Sequence, residues 1–445
     1  MLLKKANGGR TVPATHPLYG RKIYFPRMAA GSARGVAALM RSLGIEADVV
    51  PPSNARTLEL GGKYSSGDEC YPLKVTLGDF LQITERADFD AKKTAFFMAT
   101  GQGPCRFGQY VPYLRSVLKK LGKDDVLLFH PSCEQAYSDF GEASGLFTRG
   151  AWRALVAGDI LLKLLLKSRP YEVQAGSADQ AYEECVQGLC RVLETPYSSD
   201  ESQMIALQEC LLRARGRFRA LAVEYDATRP LIGVVGEIYC RLNEFSNREL
   251  VRRLEQAGAE VWLNDLCEWI WYINDDQLEK FKLYGRQWSV QALAANIRNY
   301  VQHNDERRMQ KLFCDDFRGY EEPKEIRVVL DYAEPYLPAR GANGEMVLNV
   351  GKAVYFARKG LDGVVDISPF TCMNGIVGEA IYPRVSRDNG GIPIRNFYFD
   401  GTQSDLDRDI GIFLELAKSY QQRKPWRREM PATEVATFSA RERSQ

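Results

Sequence analysis

The 445-residue chain has ten cysteines but no C-x-x-C pair. That absence removes zinc ribbons, thioredoxin-like redox sites and ferredoxin-type cysteine runs together, since all of them need closely spaced sulfurs. Any metal must then take its ligands from separate segments brought together by the fold. An excess of charge of one sign is also missing: 59 basic and 57 acidic residues leave a formal net charge of +2. No global field therefore favours nucleic acid or an acidic membrane surface. Long apolar runs are absent as well. The most apolar stretch, DILLKLLLKS at 159–168, carries two lysines and is too short to span a bilayer. The opening MLLKKANGGRTVPATHPLYG has basic residues with no apolar run behind them, so no signal peptide is read and a cytoplasmic protein is expected. In that compartment cysteines are thiols, core residues or metal ligands rather than a disulfide framework.

What is present reads as a soluble globular protein, 45% hydrophobic and 26% charged, long enough for two or three domains. After an N-terminal extension (1–20), the region 21–170 repeats short β-branched or aromatic runs, polar turns and helical periods. KIYFPR, ADVVPP, TAFFMAT and VLLFHPS read as strands, with SARGVAALMRSLG and YVPYLRSVLKKLG as helices. Region 171–228 shows no strand-like run and reads as a helical connector of two helices. A second α/β domain with a helical insertion spans 229–422, opening with PLIGVVGEIY, NRELVRRLEQAG and AEVWLND. Further strand-like material is read in EIRVVLDYAEPYL, KAVYFARKGLDGVVDIS and PIRNFYFDGTQ. A loose polar tail is expected at 423–445. The fold class is α/β: two Rossmann-like, flavodoxin-like parallel-sheet domains joined by a helical segment.

In open α/β sheets ligands collect beyond the carboxyl ends of the strands, and that rule sorts the cysteines. Cys105 follows TAFFMAT in GQGPCRFGQY, Cys372 follows GVVDIS in SPFTCMNG, and Cys70 lies in SSGDECYPLK before the helical run LKVTLGDFLQIT. All three share small residues, a proline within three positions and then a helix start, where amide groups favour a thiolate. Cys133 in HPSCE and Cys240 in GEIYCR also follow strands and stand as reserve ligands. Cys185, Cys190, Cys210, Cys267 and Cys314 read as small buried hydrophobes. His16 and His130 read as structural.

The stretch GEIYCRLNEFSN adds a polar group. Ser246 or Asn247 would cap the helix that follows, but capping leaves Glu237, Arg241, Asn243 and Glu244 unexplained. These four are the catalytic candidates, as groups that hydrogen-bond cluster sulfurs or bind substrate.

In that order, GDECYPLK, GQGPCRFGQY, GEIYCRLNEFSN and DISPFTCMNGIVGE resemble the acyl-CoA dehydratase activase-related proteins. These are relatives of the iron-sulfur subunits of 2-hydroxyglutaryl-CoA dehydratase and benzoyl-CoA reductase. The resemblance runs over roughly 20–410. It implies two Rossmann-like domains and a 4Fe-4S cluster held in a cleft by Cys70, Cys105 and Cys372. Lys74, Arg106 and Asn374 would surround the cluster, and a nearby cation would raise its potential. Three thiolates leave one iron without a protein sulfur, and in the dehydratases that iron takes part in passing one electron to an acyl-CoA thioester. The implied partners are a separate ATP-hydrolysing activase, since the chain has no GxxxxGK[ST] loop, an acyl-CoA substrate, and a second subunit in a homo- or heterodimer. Neither nucleic acid nor membrane is expected. Two other readings stand beside this one: a non-catalytic iron-sulfur carrier that docks a larger enzyme, and a metal-free α/β protein that binds a small metabolite.

Overall fold

The computed structural model describes residues 12, 14–101, 103, 105–131, 144–342, 344–402 and 404–430. The chain divides into two units, Met1–Gly158 with Glu184–Leu211 and Asp159–Glu183 with Leu212–Gln445.

In the first unit the order is β1 (Lys22–Phe25), α1 (Ala30–Ser42), β2 (Glu46–Val49), α2 (Ala55–Lys63), α3 (Tyr71–Thr84), β3 (Thr94–Phe97), α4 (Tyr110–Lys120) and β4 (Leu127–Phe129). All strand pairs are parallel, in the order β2-β1-β3-β4, so successive strands need crossover helices. Alternation along the strands supplies two cores. Tyr24, Phe96 and Leu128 face Leu73, Phe80 and Leu114 on one side. Ile23, Phe25, Ala95 and Phe129 face Ala37, Leu39 and Met40 on the other. A sheet covered on both faces explains why its strands read as nearly unbroken apolar runs.

One close approach fixes where α3 begins. A Cβ at Gly78 of α3 would strike the Thr57 carbonyl oxygen of α2, and one at Gly61 of α2 would strike the Lys74 carbonyl of α3. Two glycines thus bring the helices into backbone contact, which sets the position of Cys70 at the head of α3.

Helices α5 (Ser144–Ser168), α6 (Ser177–Glu194) and α7 (Asp200–Arg219) follow. The second unit then repeats the strand pattern. Its sheet, β5 (Leu231–Gly236), β6 (Glu260–Leu263), β7 (Gly363–Pro369) and β8 (Ile394–Phe399), is parallel in the order β6-β5-β7-β8. Each sheet therefore places its strands, numbered within the unit, as 2-1-3-4, the flavodoxin-like order. Helices α8 (Ile238–Leu242) and α9 (Leu250–Gln256) lie between β5 and β6. Between β6 and β7 come α10 (Cys267–Leu283), α11 (Val290–Gln310), α12 (Ile326–Ala333) and α13 (Met346–Arg358), and α14 (Met373–Asp388) and α15 (Leu406–Arg423) complete the unit.

Two expectations fail here. IRVVLDYA and the YFAR region form α12 and α13, not strands. The β-branched residues of α12 mimic a strand, although Val329, Leu330 and Ala333 bury a helical face. Residues 347–357 of α13 are buried all round, so no period reports a helix. The start of the expected loose tail is also anchored. Lys424 is buried against Asp362 (2.7 Å), and Arg428 bonds Glu260 (2.7 Å) and Tyr320 (2.6 Å). Among the described residues no helix is long and apolar enough to cross a membrane.

Candidate functional site

Cys70, Cys105 and Cys372 each occupy the N-cap of a helical segment with nearly the same extended backbone. Their φ/ψ angles are −69/151°, −68/133° and −69/126°. A residue of positive φ precedes each at a different spacing: Gly67 (φ 109°) three positions before Cys70, Gly103 (φ 104°) two before Cys105 and Thr371 (φ 62°) immediately before Cys372. The left-handed residue turns the chain, the cysteine resumes extended geometry, and the sulfur stands at the mouth of a helical turn.

In the first unit the loops of two of these cysteines are tied together. Arg106 Nη1 donates to the Asp68 carbonyl (2.7 Å), and Cys70 Sγ lies 2.6 Å from Tyr110 Oη at the start of α4. Phe107 packs edge-on against Tyr110. Glu69 shapes the Cys70 loop, accepting from Ser66 N (2.9 Å), Ser66 Oγ (2.9 Å) and Gly67 N (3.0 Å). Burial pushes this carboxyl up, but bonds from Tyr113, its own amide and Ser66 outweigh burial and hold it at about 2. Cys105 is exposed and Cys70 half-buried.

In the second unit Cys372 follows β7 and Glu237 follows β5, two neighbouring central strands. This is where the strand order reverses and where ligands of such sheets bind. Glu237 caps α8, accepting from Tyr239 N (3.1 Å) and Cys240 N (2.7 Å), while Glu345 accepts from Ile238 N (3.1 Å). Buried Asp366 in β7 takes hydroxyls from Ser368 (2.7 Å) and Tyr382 (2.5 Å). Burial raises all three carboxyls, Glu345 furthest because Glu237 adds to it, and the Arg241 guanidinium opposes each rise. Arg241 is itself buried, with an Nε that has no hydrogen-bond partner among the described residues. Burial and then Glu237 push the Cys372 thiol up to about 12, against the amides of Gly375 and Asn374. The expected thiolate-favouring amides are present, and burial overrides them.

The other candidates are placed as follows. Asn243 spends its carbonyl oxygen on Ser246 N and Oγ (both 2.8 Å), closing its own loop. Glu244 is exposed. Asn374 accepts from Met346 N (3.3 Å), and Lys74 is half-buried in α3. Cys240 is fully buried with its thiol toward the Ser246 carbonyl (3.9 Å), and Cys133 lies outside the described residues. Asn247, rather than Ser246, reaches the first amide of α9, Leu250 N (3.2 Å). Cys185, Cys210 and Cys267 are buried as expected, whereas Cys314 is exposed, because it lies in a turn after α11.

Sequence reasoning missed a buried ionic group beyond the end of β6. Lys352, with no exposed surface, bonds Glu268 (2.8 Å) and Glu322, while Lys163 bonds Glu322 (2.5 Å). Asp159 accepts the Cys267 amide (2.9 Å). Burial pushes Glu322 up and the two lysines more than reverse it, to about 2, whereas burial lifts Glu306 to about 7. The one signal was Asn264-Asp265 following a strand.

Among the described residues no three His, Cys, Asp or Glu side chains gather as a metal-binding set. The donor chemistry still suits an iron-sulfur group: three sulfurs in loops of matching cysteine conformation, with Arg106 and Arg241 as cations in those regions. Comparison with models of known families and with curated proteins finds no match for this chain.

Proposed function

We propose that this protein binds a 4Fe-4S cluster through Cys70, Cys105 and Cys372 and works as an electron-transfer or radical component of the 2-hydroxyacyl-CoA dehydratase type. It would act on an acyl-CoA or related substrate and take its electron from a separate ATP-dependent activase. The observation that carries this reading is one cysteine conformation repeated in three loops, each presenting a sulfur at an N-cap: Cys105 and Cys372 follow strands β3 and β7, whereas Cys70 lies between helices α2 and α3 and not at a strand end as expected. A buried structural cysteine needs no such placement.

When bound, the cluster supplies a single electron at low potential and one iron without a protein thiolate. The chain's own residues orient it. Tyr110 sits against the Cys70 sulfur, Arg106 fixes the Cys105 loop on that of Cys70, and the amides of Asn374 and Gly375 face the Cys372 sulfur. To hold the cluster the Cys372 thiol would have to give up its proton, against its burial and the nearby Glu237 and Glu345 carboxyls.

Anaerobic preparation followed by iron and acid-labile sulfide analysis and electron paramagnetic resonance tests the reading. Cys70→Ser, Cys105→Ser and Cys372→Ser should each lose the cluster, whereas Cys185→Ser and Cys190→Ser should retain it. Iron-free protein from unoxidised cells, or equal loss across all five variants, would sink it. A cluster whose spectrum no acyl-CoA perturbs would reassign the protein as a carrier.

A further inference from the structure

Helices α10 and α11 form an antiparallel hairpin whose amphipathicity is reversed. Its inner seam is polar: Trp271 Nε1 donates to Glu306 (2.9 Å) and the indole stacks on His303 (3.7 Å between centroids). Asn274 bonds Gln302 (2.9 Å), and Arg298 bonds Gln277 (2.5 Å). Toward its own unit α11 buries Ala292, Ala295, Gln302, Asp305 and Met309. Its large apolar residues from Val290 to Tyr300 are exposed instead. Val290, Leu293, Ile297 and Tyr300 are 80%, 61%, 57% and 75% exposed, and Trp288 at the helix entry is 93% exposed.

Their spacing identifies what this face fits. Steps of three, four and three residues make a strict a/d seam, the narrow stripe by which one helix packs on another helix, not the broad stripe of a helix lying on a core. Rotating α11 to hide the seam would break the polar ladder that holds the hairpin. With Tyr284 at the tip, the three aromatic and three aliphatic side chains offer on the order of 800 Å² per chain, about one side of a stable pairwise interface. Between Val290 and Asn304 the one charged residue is Arg298, already engaged with Gln277 within its own hairpin.

We infer that this face is the interface between two copies of the chain, with the α11 helices antiparallel about a twofold axis. An isologous contact requires a self-complementary patch. A twofold axis between Leu293 and Ile297 sets Val290 opposite the other copy's Tyr300 and Leu293 opposite its Ile297. No like charges meet across the seam. The inference does not depend on the iron-sulfur reading.

Sedimentation equilibrium of the full chain at micromolar concentration tests it. The wild type should sediment at twice its 50.3 kDa mass. The double variant Leu293→Asp, Ile297→Asp should associate at least about a hundredfold more weakly, with unchanged far-ultraviolet circular dichroism because both sites are exposed. Leu416→Asp, at an exposed position of α15, should remain dimeric. A monomeric wild type, or a dimer that survives the double substitution, overturns the inference.

Discussion

Cys105 and Cys372 stand at equivalent places in two sheets of the same strand order. Each follows the third strand of its unit, β3 or β7, and each caps the helical segment that leaves it, with φ near −69°. The chain is thus a topological repeat whose two halves put a sulfur beside their own switch points. The two loops differ in the residue that makes the turn: Gly103 in one, Thr371 in the other.

That difference is measurable. A β-branched residue in the left-handed region carries a strain of about 1–2 kcal/mol, and glycine there carries none but loses more entropy on folding. Thr371→Gly should therefore stabilise the metal-free chain by about 0.5–1 kcal/mol, seen as a raised denaturation midpoint. The same change should loosen the Cys372 loop and lower iron retention. Unchanged or reduced stability would show that Thr371 is not strained.

The α2–α3 contact predicts opposite signs for two alanines in one motif. Gly62 faces open space within a helix, so Gly62→Ala should stabilise by up to about 1 kcal/mol. Gly78→Ala drives a methyl into the Thr57 carbonyl and should cost about 2 kcal/mol or more, displacing α3 and Cys70 with it. Thermal melts of both variants decide the matter, and matching signs would refute the packing account.

Much of this was legible in the sequence, for identifiable reasons. Strands such as KIYF and TAFF lie in a doubly covered sheet, so their apolar runs stand out between polar turns. The N-cap placement of Cys70, Cys105 and Cys372 follows from glycine and proline, whose constraints are local. What stayed hidden depends on distant partners. Lys352 reads as an ordinary helix lysine, yet it is buried between Glu268 and Glu322. Glu345 joins Glu237 beside Cys372, with Asp366 next to Glu345, only after a long insertion brings β7 back beside β5.

Lys424 shows the same effect in a segment that reads as a loose tail. Its ammonium pairs with fully buried Asp362 and also bonds the Gly360 carbonyl. Removing one partner of a buried pair costs about 3–5 kcal/mol, because the other charge is left without compensation. Lys424→Met should lower the stability of the second unit by that amount, measured by urea denaturation. A loss below about 1 kcal/mol would mean that solvent reaches Asp362.

Asp79 makes the stability of the first unit depend on pH. It is buried in α3, accepts hydroxyls from Thr57 (2.8 Å) and Ser53 (2.8 Å), and faces Arg27 as its nearby cation. Burial raises its carboxyl from the ordinary 3.8 to about 6, and the hydroxyls and Arg27 recover only part of that rise. Between these two values the folded chain keeps a proton that the unfolded chain has released. Stability must therefore fall as pH rises through this window and level off above it, by on the order of 3 kcal/mol for two pK units. Asp79→Asn cannot ionise and removes the slope. Hydrogen exchange at the α3 amides, compared between wild type and Asp79→Asn at each pH from 4 to 7, cancels the intrinsic pH dependence of exchange. Wild-type protection should decline relative to the variant across that range, and a constant ratio would show that Asp79 stays ionised in the folded protein.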